Sequence, residues 1–215
     1  NEKRCRNHCK CARDETLQGQ ERGRGNGGSS SSASRARPPV RAAQRPVLLP
    51  IQETRQATSV KVFPTASGEQ WLDACIGEIE KCREVSIFMY MYDHPMLHHA
   101  LLRLVKPRDS LKLTILVDSS RLRDGVPFFQ RARLSALQSH GAEILESRGV
   151  ERRGIMHLKV LLLDKGKICY TGSSNATKAA EANYEVMMRM TGPCVSQIKR
   201  ICQECRDEAK PASLS

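Results

Sequence analysis

His157, Lys159 and Asp164 stand in the stretch MHLKVLLLD, and GSSN follows at Gly172 to Asn175. A strand that buries Val160, Leu161, Leu162 and Leu163 has no structural use for two basic groups at its start. The alternation of a strand puts His157 and Lys159 on one face and Leu158 on the other, so both basic groups can reach one ligand. Such a pair suits a phosphate. The imidazole can attack phosphorus, and the ammonium can neutralise charge building on the non-bridging oxygens. Ser173 and Asn175, two apart at the end of the next strand, can donate hydrogen bonds to the same oxygens. This chemistry requires no metal and no cofactor.

The elements that must hold these residues follow from periodicity. SVKVF (59–63) is predicted as a first strand, followed by a turn and a helix from Trp71 to about Arg83 with Leu72, Cys75, Ile76 and Ile79 at helical spacing. The near-continuous apolar run VSIFMYMY (85–92) reads as a central strand, and Pro95 opens a helix through Leu97, Leu101, Leu102 and Val105. LKLTILVD (111–118) is a third strand, Phe128 to His140 a helix closed by Gly141, and AEIL (142–145) a short strand. The rhythm then changes. MHLKVLLLD and KICYTGS form two strands joined by a hairpin turn at Lys165 and Gly166, and YEVMMRM (184–190) is another. A terminal helix runs from Pro193 to about Asp207, with Cys194, Ile198, Ile201, Cys202 and Cys205 as its buried stripe. The expected fold class is α/β: a mixed, largely parallel β-sheet flanked by helices on both faces.

Residues 1–58 are expected to be a disordered basic tail rich in Gly, Ser, Arg and Pro, because GRGNGGSSSSASRARPP cannot bury enough apolar surface to offset its ordering entropy. The catalytic domain is then 59–208, with 209–215 as a C-terminal tail. The formal charge is +12, and residues 1–59 carry 12 Lys/Arg against 5 Asp/Glu, leaving 23 against 18 for the remainder. Such a tail is attracted to any polyanion, RNA or an anionic membrane surface alike. No run approaches the roughly 18 apolar residues that span a bilayer, and the chain opens on Asn1 rather than Met. Nine scattered cysteines with no visible signal peptide argue for a reducing compartment. Cys5, His8, Cys9 and Cys11 offer metal-ligand types, but the spacing is cramped and no second pair matches it.

At His157, Lys159, Asp164, Gly172, Ser173, Asn175 and Glu185 the chain resembles the phospholipase D superfamily, whose signature is His-x-Lys-x4-Asp, then Gly-Ser-x-Asn and a later Glu. The match covers about 30 residues. The resemblance implies a phospholipase D-like fold and a metal-independent phosphodiesterase working through phosphohistidine. It implies that His157 is the nucleophile, that Lys159, Ser173 and Asn175 hold the phosphate, and that Glu185 orients a catalytic histidine; Asp164 belongs to the signature, with a structural part at the strand end. One residue more than usual separates Asp164 from Gly172, and the Lys165–Gly166 turn is expected to absorb it. The opening VKVFP, with MHLK and TGSSN later, is more loosely similar to the Zucchini or mitochondrial cardiolipin hydrolase branch, through which a mitochondrial outer membrane location would follow. Leu158 and Ala176 depart from the His and Trp common in that branch, and its Cys/His finger after the first strand has no counterpart here.

The family mechanism needs two histidines, one to attack and one to protonate the leaving oxygen, and this chain has one copy of the motif. His8, His94, His98, His99 and His140 lie in no second His-x-Lys setting, and His98 and His99 read as partly exposed helix residues. A two-fold homodimer sharing its active site is therefore expected. The substrate is an anionic phospholipid such as cardiolipin or a single-stranded nucleic acid, since both contain the diester. Tyr90, Tyr92 and Tyr170 are the aromatics expected near the site, and VPFF (126–129) is the candidate apolar rim for a lipid. The competing reading is a non-catalytic basic protein that binds RNA or membrane on a degenerate phospholipase D fold.

Overall fold

The computed structural model describes residues 57–64, 70–105, 111–123, 128–150 and 154–214. The expected basic tail, apart from residues 57 and 58, lies outside the described residues, as do Cys5, His8, Cys9 and Cys11. Eight strands form one sheet: β1 (Ser59–Pro64), β2 (Glu84–Met89), β3 (Lys112–Asp118), β4 (Glu143–Ser147), β5 (Lys159–Leu163), β6 (Ile168–Gly172), β7 (Val186–Thr191) and β8 (Lys210–Pro211), in the order β1-β7-β6-β5-β2-β3-β4-β8. The helices are α1 (Trp71–Ile79), α2 (Pro95–Val105), α3 (Phe128–Ser139) and α4 (Cys194–Asp207).

Strand alternation sorts the core into two layers. Val85, Ile87 and Met89 of β2, Ile115 and Val117 of β3, and Leu161 and Leu163 of β5 face α1, α2 and α3. Phe88, Leu116, Val160 and Leu162 face the opposite way, onto Val195 and Cys202 of α4. Helices thus cover both faces, as the two-sided apolar runs of β2, β3 and β5 require. Fully burying each such aliphatic side chain contributes roughly 1.5–3 kcal/mol.

The sheet is mixed, but parallel pairing is confined to β2 with β3 and β3 with β4. The remaining pairs are antiparallel, so the expectation of a largely parallel sheet is corrected. Each helical crossover returns the chain in the same direction, but only those through α2 and α3 set the strands they join side by side; from β4 to β7 the chain reverses at every connection, which makes the neighbouring pairs antiparallel. Residues 209–215 are also not simply a tail. Lys210 and Pro211 pair with β4, Ala212 donates its N–H to Ile144 O at 3.0 Å, and the Ala212 side chain is buried in the core.

Three boundaries move for local reasons. Helix α1 stops at Ile79, short of Arg83, because Lys81 N and Cys82 N bond three residues back, to Glu78 O and Ile79 O, tightening the last turn before the chain enters β2. Strand β2 ends at Met89, freeing Tyr90 to His94 for the site loop, and β5 starts at Lys159, leaving His157 on the segment just before it. On α4, Val195 is buried while Ile201, expected in the stripe, is half exposed. His98, expected partly exposed, is buried on α2.

The extra residue between β5 and β6 is absorbed where expected. Leu163 pairs with Ile168, and the intervening turn puts Asp164, Lys165 and Gly166 at positive φ. The register that results brings Gly172 against β7, where an added Cβ would lie 2.1 Å from Val186 O. Only glycine permits that approach, which delivers Ser173 and Asn175 to the same end of the sheet as His157.

Candidate functional site

The C-terminal ends of β2, β3 and β4 and the N-terminal end of β5 lie together, because β2 runs parallel to β3 and antiparallel to β5 with Met89 opposite Lys159. The Tyr90 N–H donates to Leu158 O at 3.0 Å, extending this pairing past the strand end and fixing the backbone on which His157 sits. Leu158 packs towards α4, so His157 and Lys159 project to the other side, as strand alternation predicts.

Tyr90 is the hub of the site. Its ring lies 4.7 Å from the His157 ring, Lys159 Nζ lies 5.3 Å from its centroid, and the Arg121 guanidinium lies 4.4 Å from it. Arg121 also donates to the Tyr90 hydroxyl, and Gln130 fixes Arg121 by donating to its carbonyl at 3.1 Å. Lys159 is buried and donates to His157 O at 3.1 Å. The site thus holds one imidazole between two cations, an electrostatic setting made for a phosphate dianion or diester.

The titration properties agree with the geometry. Desolvation, then the Lys159 ammonium, holds His157 below its ordinary value; Asp118 opposes this and Arg121 reinforces it. The imidazole is therefore unprotonated, with a lone pair to offer, at a lower pH than an ordinary histidine. Burial likewise lowers Lys159, opposed by the Glu185 carboxylate.

Asn175 reaches the site from the loop after β6. That loop is joined to the Tyr90–His94 segment by several bonds: Asp93 N and His94 N both donate to Ala176 O at 2.9 Å, and buried His94 Nε2 meets Glu181 Oε1 at 2.6 Å. Asn175 Oδ1 accepts from Met91 N at 3.3 Å, which directs the amide so that its Nδ2 hydrogens are the donors it offers a ligand.

Ser173 and Glu185 are brought together, in a way the sequence did not show. Ser173 Oγ accepts from Val186 N at 3.0 Å and donates to Glu185 Oε2, which directs its proton to the carboxylate; Asn183 Nδ2 donates to the other Glu185 oxygen at 3.4 Å. Asp164 does not join them. It sits just past the far end of β5, half exposed, holding Lys167 Nζ at 2.8 Å, and at roughly 3.3 Å per residue the extended chain places it about 23 Å from His157. Its side chain ties the β5–β6 turn. The Lys167 hydrogen bond keeps its carboxyl below the usual range.

Among the aromatics expected nearby, only Tyr90 is at the site; Tyr92 and Tyr170 are fully buried, and Tyr170 donates to Glu78 at 2.9 Å. Of the candidate apolar rim, Phe129 is exposed on α3, with Arg133 near its ring, while Val126 and Pro127 lie outside the described residues. No helix among the described residues is long and apolar enough to cross a membrane.

Sequence reasoning missed Asp118 and Arg121. Asp118 ends β3 as a buried carboxylate and accepts from Met156 N at 2.7 Å and Ser120 N at 2.9 Å, pinning the segment that presents His157. An acid closing an apolar strand, LTILVD, was the available signal. Asp118→Ala leaves two amides without this acceptor and is expected to cost about 1–3 kcal/mol, read by denaturant unfolding. It should also slow any turnover roughly tenfold to a hundredfold by loosening the His157 backbone, whereas unchanged turnover would contradict the pinning role.

Residues 75–209 match the family described as "Cardiolipin synthase, PLD-like domain". No curated protein sequence matches significantly. Among solved structures, NucT from Helicobacter pylori is similar with a TM-score of 0.61 and 20% identity, covering 73% of this chain and 100% of that one. Nuc from Salmonella typhimurium, a phospholipase D family member, follows at 0.59 and 19%, covering 73% and 99%. Phosphatidylserine synthase from Haemophilus influenzae Rd KW20 aligns at 0.55 and 15%, covering 72% of this chain and 40% of that one.

Proposed function

Since the chain belongs to the phospholipase D superfamily, through the cardiolipin synthase PLD-like domain family, we propose that it is a phosphodiesterase that cleaves its substrate through a phosphohistidine at His157. The observation that carries this reading is the convergence of the His157 imidazole, the Lys159 ammonium and the Arg121 guanidinium around Tyr90, with the Asn175 amide turned to donate. A group that can attack, two cations to neutralise the non-bridging oxygens and an amide donor are the parts phosphoryl transfer needs.

In the first step a nitrogen of unprotonated His157 attacks phosphorus, and the bond to the leaving oxygen breaks. A second, protonated histidine gives that oxygen its proton. In the next step the same histidine, now neutral, takes a proton from water, the water oxygen bonds to phosphorus, and the P–N bond breaks. His157 leaves as it began. The chain carries a single copy of the motif, so the second histidine is the His157 of another copy, and the working form is a two-fold homodimer with a shared cleft. Lys159 and Asn175 hold the phosphate, and Glu185, tied to Ser173, sets the electrostatics beside Lys159. The scissile diester belongs to an anionic phospholipid such as cardiolipin or to a single-stranded nucleic acid.

Turnover of bis(p-nitrophenyl) phosphate in EDTA, with sedimentation of the same preparation, tests the reading. Product release by a dimer, with a phosphoprotein that is acid-labile and base-stable after quenching, is the expected result. Release that requires added divalent metal, or full activity in a sedimenting monomer, would overturn the corresponding part.

A further inference from the structure

Beyond Arg121 the strand ends carry a second group of cations that the chemistry above does not use. The 3₁₀ turn Ser119–Leu122 after β3, the end of β4, the first turns of α3 and the β8 segment enclose a surface depression of about 580 Å³ lined by Ser119, Leu122, Arg123, Arg131, Arg148 and Lys210. Four cationic side chains in this lining, Arg123, Arg131, Arg148 and Lys210, face one carboxylate, Glu146, which Lys210 Nζ meets at 3.0 Å, so the formal charge of the lining is positive. Arg148 Nε donates to Ser119 Oγ at 3.2 Å, and Ser119 follows the Asp118 that pins the His157 segment, so the depression is built onto the same framework as the site. Strands β5, β2, β3 and β4 are successive neighbours. At roughly 4.8 Å per strand, the depression lies about 14 Å from His157.

We propose that this depression is a second anion subsite, which binds a further phosphate of the same chain a few linkages from the scissile one and makes a polyphosphodiester chain the preferred substrate; the proposal rests on the phosphodiesterase reading. Arginine forks suit phosphate oxygens. A single diester cannot reach from His157 to Arg148. The two phosphates of a cardiolipin are joined through one glycerol and lie too close together to bridge the two sites, whereas a single-stranded polynucleotide repeats its phosphate at every nucleotide and spans them within a few. The lining also favours this choice, since only Leu122 among these residues offers an apolar surface to an acyl chain.

The test compares the full chain with R123Q/R131Q/R148Q, which leaves His157, Lys159 and Asn175 untouched, on bis(p-nitrophenyl) phosphate, dithymidylate, octathymidylate and cardiolipin vesicles. The unaltered chain should favour octathymidylate over dithymidylate in kcat/KM. The triple variant should lose that preference by at least about tenfold and keep its turnover of bis(p-nitrophenyl) phosphate. Equal octathymidylate turnover by both chains would overturn the subsite, and a matching loss on cardiolipin vesicles would overturn the choice of a polynucleotide. Binding of labelled octathymidylate to His157→Ala, with and without the three substitutions, separates the subsite from the chemistry. Losing that one phosphate contact should flatten the slope of log affinity against log salt by about 0.7. Arginine-dependent binding without turnover by the unaltered chain would leave the subsite standing and sink the phosphodiesterase reading, and arginine-independent binding would sink the subsite.

Discussion

Replacing His157 by alanine is expected to lower turnover of a phosphodiester by roughly ten-thousandfold or more. In a two-fold dimer the substitution removes both the attacking nitrogen and the proton donor, so nothing remains to form the covalent intermediate or to release the alkoxide. The fold should survive. His157 is exposed, on the segment before β5, and its neighbours Met156 and Leu158 are held by backbone bonds to Asp118 and Tyr90 that the substitution leaves intact. Unfolding curves should therefore superimpose within about 0.5 kcal/mol, as for surface substitutions in general. Loss of activity with an unchanged curve, and loss of the acid-labile phosphoprotein, is the expected pair of observations. If His157→Ala and the unaltered chain release product equally, the phosphohistidine mechanism fails. Mixing the two chains supplies a further check, because under the proposed mechanism a dimer with one intact subunit would hold one histidine where two are needed.

Lys159→Met should be the next most damaging change, lowering kcat/KM by roughly a hundredfold to a thousandfold. Lys159 is buried at the start of β5, so methionine fills its space while removing the charge nearest the phosphate. The pH profile distinguishes this from simple damage to packing. In the proposed mechanism attack requires neutral His157, so kcat/KM should fall as pH drops through the His157 pKa. That pKa is held low by desolvation first and by the Lys159 ammonium second, since a neighbouring cation disfavours imidazolium. Removing the ammonium raises it, and the acid limb of kcat/KM should move to higher pH. A lower plateau with an unmoved limb would show that Lys159 does not share the field of His157.

Much of this site was legible because it obeys local rules. The apolar runs around 85–89, 112–118 and 159–163 announce two-sided strands, and the spacing of His157, Lys159 and Leu158 assigns faces once a strand is granted. Gly172 was legible only as part of the signature; its close approach to Val186 O follows from the β6–β7 register. The weaker readings failed where a residue's environment comes from distant chain. Tyr90 and Tyr170 both border predicted strand ends, yet one meets His157 and the other is sealed under Trp71 and Phe63. Ile201 keeps the helical spacing of α4, but the packed face of that helix is built on Val195 and Cys202 and leaves Ile201 half exposed.

Local pattern sets the chemistry available: one histidine and one lysine on a common strand face, an Asn and a Ser one hairpin away, and helices enough to bury the sheet. These depend on periods of 2 and 3.6 residues and on turns of a few residues, all short-range. Which groups share a space depends on how distant strands pair. The parallel pairing of β2, β3 and β4 brings Asp118, Arg121 and Arg148 to the edge where His157 stands. The length of β5 carries Asp164 away from it. Side-chain hydrogen bonds then direct the Ser173 proton to Glu185 and the Asn175 amide outward from Met91. Such choices depend on register between strands far apart in the chain, and no local pattern encodes them.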